Sequence, residues 1–438
     1  MRRLGGSSIA DPGMMKIQQF AVDSVEIVLS GKNLTLVLQA LWHQNPLLSS
    51  QQRGAIQDII YGVLRYLGQL EAILGQLAKR SLPDKRLRNL LLVSLYQLNY
   101  SKAPHYAVVD CAVATTRKLT KSKGAVGLVN AILRNFLRNN KSLLDMTDTH
   151  ETGRFSHPQW WIDKLKYQYP QQYEAILLAN NRHPPMTLRV NRLRTSIADY
   201  QALLNQCEIE NHQIWDNALM LSKPVPAQKL PMFEQGYVSI QDAGAQLAAS
   251  FLDVGDGMNV LDACAAPGGK STHLMEIADL QLTVMDTDQQ RLVRVSENFK
   301  RLGIEPFRQI CGDATSPFSW WDGKPFDRIL ADVPCSASGV VSRHPDIKWL
   351  RRISDLPMFV NLQQNILEAL WPLLNSEGKL LYVTCSVFVE ENCQQVKSFL
   401  DRHPDARLLP ITHAEINNGQ LLPNCFHDGF YYALFYKL

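Results

Sequence analysis

Residues 260–270 read VLDACAAPGGK, a short apolar run that enters a glycine-rich turn. A strand that runs through such a turn into a helix is an arrangement in which a nucleotide-like ligand approaches the backbone closely. The turn is neither the dinucleotide glycine fingerprint nor a phosphate-binding loop, and Pro267 removes an amide that a phosphate would use. These residues therefore predict a strand, a turn and a helix that bind a nucleotide-like group other than a dinucleotide or triphosphate.

Short apolar strands and helical segments alternate on both sides of this turn. The pattern predicts strands over 259–263, 282–286, 327–332, 379–384 and 429–436, and helices over 289–302 and 360–374. Such alternation is typical of a parallel sheet with helices on both faces. We therefore expect a doubly wound α/β domain over residues 237–438.

The first third of the chain has a helical period instead. Two apolar stripes repeat at helical spacing, namely Ile56, Ile60, Val63 and Leu67, and then Val126, Val129, Leu133 and Leu137. They predict an all-α domain over residues 14–145, and we expect a disordered extension over 1–13. The polar segment 141–155 loses the helical period and predicts a linker.

The middle of the chain mixes both patterns. We expect a helix over 159–178, a strand over 187–191, and a helix that Ser196 caps. These elements predict a small α+β module over 150–236 that binds RNA or links the two larger domains. Trp160 and Trp161 are candidates for base stacking, although aromatic residues on a helix more often belong to a core.

Composition limits the class of protein. The chain has 438 residues, of which 46% are hydrophobic and 20% charged, the balance of a globular protein with two or three domains. No apolar run approaches the ~18 residues of a membrane span, so we expect a cytoplasmic protein, and we expect a monomer. The eight scattered cysteines form no C-x-x-C pair, which predicts reduced thiols and no metal site.

The net charge is only +4, so any affinity for nucleic acid must come from local patches. Positive side chains gather in two places in the helical region, first Arg117, Lys118, Lys121 and Lys123, and then Arg134, Arg138 and Lys141 at helical spacing. A solvated surface is one interpretation of these charges, and a face that binds RNA phosphates is the other.

Acidic residues follow the ends of successive predicted strands. Asp286 ends the strand after the glycine turn, and Asp313 follows the next strand. Asp286 suits the hydroxyls of a ribose, and Asp313 suits an adenine amine. Beside a glycine-rich turn, these acids predict that the ligand is S-adenosylmethionine. The predicted cofactor site consists of Cys264, Ala265, Ala266, Pro267, Gly268, Gly269, Lys270, Asp286, Asp313 and Asp332.

Two cysteines stand at the ends of the last two central strands. Cys335 follows Asp332 and Pro334, and Cys385 follows Thr384. Strand ends in a doubly wound sheet converge on one crevice, so we expect the two thiols and Asp332 to meet there. A thiolate that adds to carbon 6 of a cytosine makes carbon 5 reactive enough to accept a methyl group. The alternative is that both are ordinary buried thiols.

The chain resembles the RNA cytosine-5 methyltransferases, which implies a Rossmann-like class I methyltransferase fold for its C-terminal domain. The match runs through 262–270, Asp286, Asp313, 332–336 and 384–386. Within that family the chain is similar to the bacterial members that act on small-subunit (16S) ribosomal RNA, most specifically in the block 343–349. Its helical part resembles the antitermination factor NusB, through the stretches 61–65 and 129–134.

The resemblance implies a role for each site residue. Cys385 is the nucleophile that attacks carbon 6, and Cys335 helps to release the product. Asp332 hydrogen-bonds the cytosine edge, and Lys270 lies near the same ring. The implied cofactor is S-adenosylmethionine, the product S-adenosylhomocysteine and the partner 16S ribosomal RNA. The residues that we expect to contact RNA are Arg117, Lys118, Lys121, Lys123, Arg134, Arg138, Arg343, His344 and Lys348.

Other activities fit the sequence less well. Methylation of an amino group usually shows an acid or asparagine, two prolines and an aromatic residue, and the stretch 332–335 lacks the aromatic. DNA cytosine methylation uses the cysteine of a Pro-Cys pair as nucleophile, but the second cysteine motif and the helical domain disfavour it. A methyltransferase that acts on tRNA remains an alternative. So does a non-catalytic RNA-binding assembly factor, although intact Lys270 and Asp332 disfavour it.

Overall fold

The computed structural model of the protein describes residues 12–78, 82, 84–215, 218–306 and 308–438. They form two compact units, of which the first runs to Asn181 and also contains His344–Arg352. The second consists of Arg182–Arg343 and Ile353–Leu438. Most of the extension predicted over 1–13 lies outside the described residues, and its last two residues begin the first helix. None of the described helices is both long and apolar enough to cross a membrane.

The first unit is helical, as predicted. Its helices include α1 (Pro12–Leu29), α2 (Leu34–Gln44), α3 (Ser50–Arg65), α4 (Leu67–Leu77), α5 (Lys85–Tyr100), α6 (His105–Leu119), α7 (Lys123–Thr147), α8 (Glu151–Phe155), α9 (Gln159–Gln168) and α10 (Tyr173–Asn180). Asn33 and Ser49 cap α2 and α3 by accepting hydrogen bonds from amides of the first turn. Apart from Val126, the residues of the two apolar stripes pack in one core, in which Ile56 and Leu133 are fully buried.

Two predictions about this unit are wrong. The segment 141–155 is not a linker, since α7 continues to Thr147 and Phe155 at the end of α8 is fully buried. Most of the polar residues of this segment are exposed, so the few buried ones do not make a helical period visible. The single helix expected over 159–178 is two helices, because Pro170 lacks the amide that would continue α9.

The second unit contains a small antiparallel sheet with one helix. Its elements are β1 (Met186–Val190), α11 (Ile197–Gln206), β2 (Asn211–Gln213), β3 (Ala218–Leu221) and β4 (Val238–Ile240). The strand order is β2-β3-β1-β4. β1 lies where the alternating sequence predicted a strand, and Ser196 caps α11 by accepting a bond from the Asp199 amide at 3.1 Å. The α+β character of this module is therefore confirmed.

The later strands of the second unit form one mixed sheet. They are β5 (Asn259–Asp262), β6 (Gln281–Asp286), β7 (Arg308–Cys311), β8 (Phe326–Asp332), β9 (Leu374–Thr384), β10 (Ala406–Leu409), β11 (Ile416–Asn417), β12 (Gln420–Leu421) and β13 (Phe430–Lys437). Their order is β11-β12-β13-β9-β8-β5-β6-β7, and β10 pairs with β13. The strands from β5 to β9 pair in parallel, whereas β13 is antiparallel to β9.

Helices lie on both faces of this sheet, so the doubly wound fold is confirmed. The helices in this part of the sequence are α12 (Ala243–Phe251), α13 (Gly269–Ile277), α14 (Gln289–Leu302), α15 (Ile347–Leu350), α16 (Leu356–Leu370) and α17 (Cys393–Arg402). Consecutive residues of β8 pack into cores on opposite faces of the sheet. Ile329 packs in a cluster with residues of α16 and α17, and Leu330 packs in a cluster with residues of α12, α13 and α14.

The strand order reverses at β5, which lies between β6 and β8. Such a reversal leaves a crevice outside the carboxyl ends of the strands, where ligands bind. Asp262, Asp286 and Asp332 are the last residues of β5, β6 and β8, and Cys385 follows the last residue of β9. The fold therefore brings the predicted site residues to one edge of the sheet.

A buried cation connects the small sheet to the helix after the glycine turn. Arg189 of β1 is fully buried and donates to both carboxylate oxygens of Glu276, at 3.0 and 2.7 Å. It also donates to Gly269 O at 2.6 Å. Because an unpaired charge in a protein interior is costly, these acceptors fix the guanidinium. Gly269 is the first residue of α13, so β1 stabilises the start of that helix.

The segment 344–352 packs within the helical unit. Lys348 of α15 is fully buried, and its ammonium donates to Arg65 O at 2.8 Å and to Asn181 Oδ1 at 2.7 Å. Burial, together with the Arg65 guanidinium, lowers the pKa of Lys348 well below its ordinary value. The RNA contact predicted at Lys348 is therefore wrong, because the side chain lies inside the protein.

Candidate active site

The two cysteines predicted at strand ends lie side by side. Their sulfur atoms are 3.3 Å apart, and neither is in a disulfide. Cys335 is buried and Cys385 is half-buried. The hydrogen bond to Cys385, together with burial, raises the pKa of Cys335 well above its ordinary range. Cys335 is therefore a protonated thiol at neutral pH.

Lys270 and Asp332 form an ion pair in the same crevice, with Nζ and Oδ2 2.5 Å apart. Burial by itself lowers the pKa of Lys270, but Asp332 and Cys385 raise it more, so the pKa lies above its ordinary value. Lys270 thus stays protonated at neutral pH. Its ammonium also lies 5.4 Å from the centre of the Phe430 ring. The structure therefore brings the four predicted catalytic residues together.

The turn 264–270 leads from β5 into α13, as predicted. Gly268 has a φ of 94°, and a Cβ there would come within 3.2 Å of Val295, so the turn requires glycine. Asp262 is buried, and its Oδ2 accepts a bond from Ser271 Oγ at 2.6 Å. Its Oδ1 has no partner among the described residues. Burial raises the pKa of Asp262 to about 7.

The acids predicted for the cofactor site lie at the ends of the next two strands, Asp286 as the last residue of β6 and Asp313 just after β7. Asp286 is buried, accepts bonds from Ala266 N and Asp288 N at 3.1 Å, and pairs with Arg291 at 3.2 Å. Asp313 is exposed. Gly312 N donates to Asp286 O at 3.1 Å, which places the loops after β6 and β7 next to each other. Both acids therefore stand along the edge of the sheet that the sequence predicted.

The sequence did not point to Glu391, which lies between β9 and α17. Its carboxylate is fully buried and accepts bonds from the hydroxyls of Ser336 and Ser386, which directly follow the two cysteines. Ser336 N and Gln363 Nε2 donate to its other oxygen at 2.8 and 3.0 Å. The only sequence signal for this arrangement is that a serine follows each cysteine, so that two hydroxyls can donate to one acceptor.

The block 343–349 is not one exposed RNA-binding surface. Arg343 pairs with Asp242 at 2.8 Å and with Asp428, and both carboxylates are buried. These two carboxylates hold the guanidinium, while 27% of the side chain stays exposed, so the RNA contact at Arg343 stays a prediction. His344 is exposed, and its RNA contact stays a prediction.

The remaining predicted RNA contacts are exposed on the helical unit. They are Arg117 and Lys118 at the end of α6, Lys121 in the following loop, and Lys123, Arg134 and Arg138 on α7. Asn139 has non-helical angles, with φ −120° and ψ 20°. The helix is therefore kinked at Asn139, between Arg138 and Lys141.

Three family models match the chain. The model for the 16S rRNA methyltransferase RsmB/F matches residues 249–436. A ferredoxin-like domain model of RsmF/B-like methyltransferases matches 157–228, and the NusB family model matches 15–138.

Relatives match over almost the whole length. A protein from Vibrio cholerae named Ribosomal RNA small subunit methyltransferase B is 43% identical over 430 residues, which cover 97% of this chain and 98% of the relative. The chain belongs to the RsmB/F family of 16S rRNA methyltransferases. A relative of the same name from Shigella sonnei is 41% identical over 432 residues, 96% of this chain and 98% of the relative. Membership of the RsmB/F family and the NusB-like helical domain, both expected from sequence motifs, are confirmed.

Solved structures support the same fold for this RsmB/F family member. A methyltransferase homolog protein from Pyrococcus horikoshii has a TM-score of 0.59 and 26% identity, and covers 66% of this chain and 97% of that chain. NSun6 from Pyrococcus horikoshii, solved with SFG, has a TM-score of 0.57 and 20% identity, and covers 64% of this chain and 98% of that chain.

The raised pKa of Cys335 predicts its reactivity. Iodoacetamide at pH 7.5 should alkylate Cys335 at least about tenfold more slowly than the exposed Cys425, because the thiolate is the reactive form. The rate at Cys335 should rise at higher pH than the rate of a small free thiol such as N-acetylcysteine. Peptide mass spectrometry after timed quenching measures Cys335 and Cys425 in one sample. If burial alone protects Cys335, its low rate will follow the pH curve of the free thiol, which would contradict a raised pKa.

Proposed function

We propose that this member of the family transfers a methyl group from S-adenosylmethionine to carbon 5 of a cytosine in 16S ribosomal RNA. The observation that carries the proposal is the pair of sulfur atoms 3.3 Å apart in the crevice that also holds the Lys270–Asp332 ion pair. Methylation at carbon 5 needs a nucleophile on the neighbouring ring carbon and a second group that aids elimination. Methylation of an amino group needs neither thiol.

The residues around the glycine turn suit S-adenosylmethionine, which supplies an electrophilic methyl group when bound. The unpartnered oxygen of Asp262 suits a protonated amino group. Asp286 ends β6 and Asp313 lies just after β7, where ribose hydroxyls and an adenine amine would find acceptors. Gly268 keeps the turn in a backbone conformation that a side chain would strain, because its φ is 94° and a Cβ would crowd Val295.

The side chains of the crevice account for the changes on the cytosine ring. The Cys385 thiolate adds to carbon 6, and the electron density that reaches carbon 5 makes it able to accept the methyl group. The Asp332 carboxylate, held by Lys270, binds the cytosine edge and favours the proton at N3 that balances this addition. The carbon 5 proton then passes to a solvent base such as water, and its bonding pair restores the double bond between carbon 5 and carbon 6. The bond between carbon 6 and Cys385 breaks, the thiolate leaves, and N3 gives back the proton that it gained on addition. Cys335 lies next to Cys385 and aids this release.

The substrate is proposed from the family and from the charge pattern. Exposed basic residues near the end of α6 and along α7 suit phosphate groups of a folded RNA. A cytoplasmic location and a monomeric state agree with this function and stay predictions.

Loss of Asp286 should weaken the cofactor site. Asp286→Ala should reduce the affinity for S-adenosylmethionine by about 1.5–3 kcal/mol, the usual effect of losing hydrogen bonds to a charged group. Isothermal calorimetry measures the change. Asp288→Asn is a matched control, since asparagine also caps the helix α14 and the affinity should stay close to that of the unaltered protein. Unchanged affinity in Asp286→Ala would remove this residue from the site.

The two cysteines should give opposite results. Cys385→Ala should abolish both methylation and any covalent protein–RNA species, because the bond to carbon 6 cannot form. Cys335→Ala should still allow that bond and should trap a covalent adduct, visible by denaturing electrophoresis with labelled RNA. The exposed Cys393→Ala is the control and should behave like the unaltered protein.

The outcomes of this pair separate three mechanisms. An adduct in Cys385→Ala but not in Cys335→Ala would reverse the two roles. Full methylation in both variants would overturn the thiol mechanism.

Removing exposed charges should weaken RNA binding. Replacing Arg117, Lys118, Arg134 and Arg138 by glutamine should lower the affinity for 16S RNA and make its salt dependence shallower. If all four contact phosphates, the slope of log affinity against log salt should fall by up to about 3. Filter binding over a range of salt concentrations measures both quantities.

A control variant removes four exposed lysines elsewhere on the same unit, namely Lys16, Lys32, Lys85 and Lys102. It should keep a steeper salt slope than the first variant. Equal slopes in the two variants would assign the α6 and α7 charges to a solvated surface.

A further inference from the structure

Glu391 connects the two loops that carry the cysteines. Ser336 and Ser386, each one residue after a cysteine, are fully buried and donate their hydroxyls to the same carboxylate oxygen of Glu391. Ser338 Oγ lies 3.1 Å from Ser336 Oγ and 2.9 Å from Ser386 Oγ. The three serines and the carboxylate therefore form one buried network behind the thiols.

The carboxylate has no basic partner within ion-pair distance among the described residues. Hydrogen-bond donors from the loop after β8, the loop after β9 and α16 satisfy the carboxylate instead. Gln363 of α16 donates to the same oxygen as Ser336 N. Tyr382 of β9 donates to the Glu391 carbonyl oxygen at 2.6 Å, which fixes the backbone as well. A buried charge of this kind is tolerated only when hydrogen bonds surround it, so the network must keep its geometry.

A second contact holds the loops at a fixed separation. Gly339 N donates to Cys385 O at 2.8 Å, and a Cβ at Gly339 would meet Gly429 O at 2.2 Å. The loop after β8 therefore lies directly against the loop after β9, and the carboxylate binds both of them from the buried side.

We infer that Glu391 is a positioning residue, whose shared bonds to Ser336 and Ser386 set the distance between the Cys335 and Cys385 sulfur atoms. The inference rests on the proposed function in treating these sulfur atoms as the reacting groups. One thiol must reach carbon 6 while the other aids departure of the proton from the adjacent carbon 5. An error of about 1 Å in such a placement can reduce a rate by about 10²-fold.

The distance between the sulfur atoms can be measured without any methyl transfer. Diamide oxidises two neighbouring thiols to a disulfide; the thiols lose two protons and two electrons, and the N=N bond of diamide takes them up to become a hydrazine. In the unaltered full chain, Cys335 and Cys385 should form this disulfide quickly. In Glu391→Ala the disulfide should form at least about tenfold more slowly, since the two loops no longer share an acceptor. Mass spectrometry of the Cys335–Cys385 peptide pair follows the reaction.

A double-mutant cycle separates a specific link from a general disturbance. Ser336→Ala with Ser386→Ala should also slow closure, and the same two substitutions in the Glu391→Ala background should add nothing further. Glu377→Gln, at an exposed residue of β9, is the control and should close like the unaltered protein. If Glu391→Ala does not fold, the serine variant alone carries the test.

Activity gives the second readout. Glu391→Ala should lower kcat while leaving KM and affinity for S-adenosylmethionine within about twofold, because the link acts on the thiols and not on the cofactor turn. Disulfide closure at the unaltered rate in both Glu391→Ala and the serine variant, or fully additive effects in the cycle, would overturn the inference. Failure of the proposed thiol mechanism would show instead in the Cys335→Ala and Cys385→Ala adducts, with the closure rates unaffected.

Discussion

The reversal of strand order at β5 is the constraint on which the rest of the site depends. Parallel strands end at the same edge of a sheet, and the reversal leaves the loops after β5 and β8 on either side of a crevice. Asp262, Asp332 and Cys385 reach that crevice because each lies at or just after the end of its strand. Without this topology, Asp262 and Cys385, which are more than a hundred positions apart in sequence, would not lie in one site.

The buried and half-buried polar groups around the crevice stabilise its geometry more than they stabilise the fold. Lys270 and Asp332 are paired, and Arg189 fixes the start of α13 through Glu276 and Gly269. Each of these groups loses water on burial, and replacing them by apolar side chains often leaves stability unchanged or higher. These contacts instead hold the charged groups and the thiols of the crevice in fixed positions. A site for covalent chemistry requires such fixed positions.

The sequence predicted the parts of the fold that depend on period and on strand ends. The helix predicted over 289–302 has the observed bounds of α14, and the cysteines lie where the strand pattern put them. Sequence analysis failed for Lys348, because charge alone does not reveal whether a side chain is exposed or held by buried acceptors. It also missed Glu391, whose bonds to Ser336 and Ser386 depend on the tertiary approach of two loops.

The location of Lys348 determines when, during synthesis, the helical unit can complete its hydrogen bonds. The helical unit takes residues 344–352 from the later part of the chain, and the carbonyl of Arg65 and the amide of Asn181 bind a lysine from that segment. A ribosome that has released only the first 181 residues has not yet supplied this donor. The helical unit therefore reaches its final hydrogen bonding only after the strands β5 to β8 have been synthesised, although most of its sequence comes first.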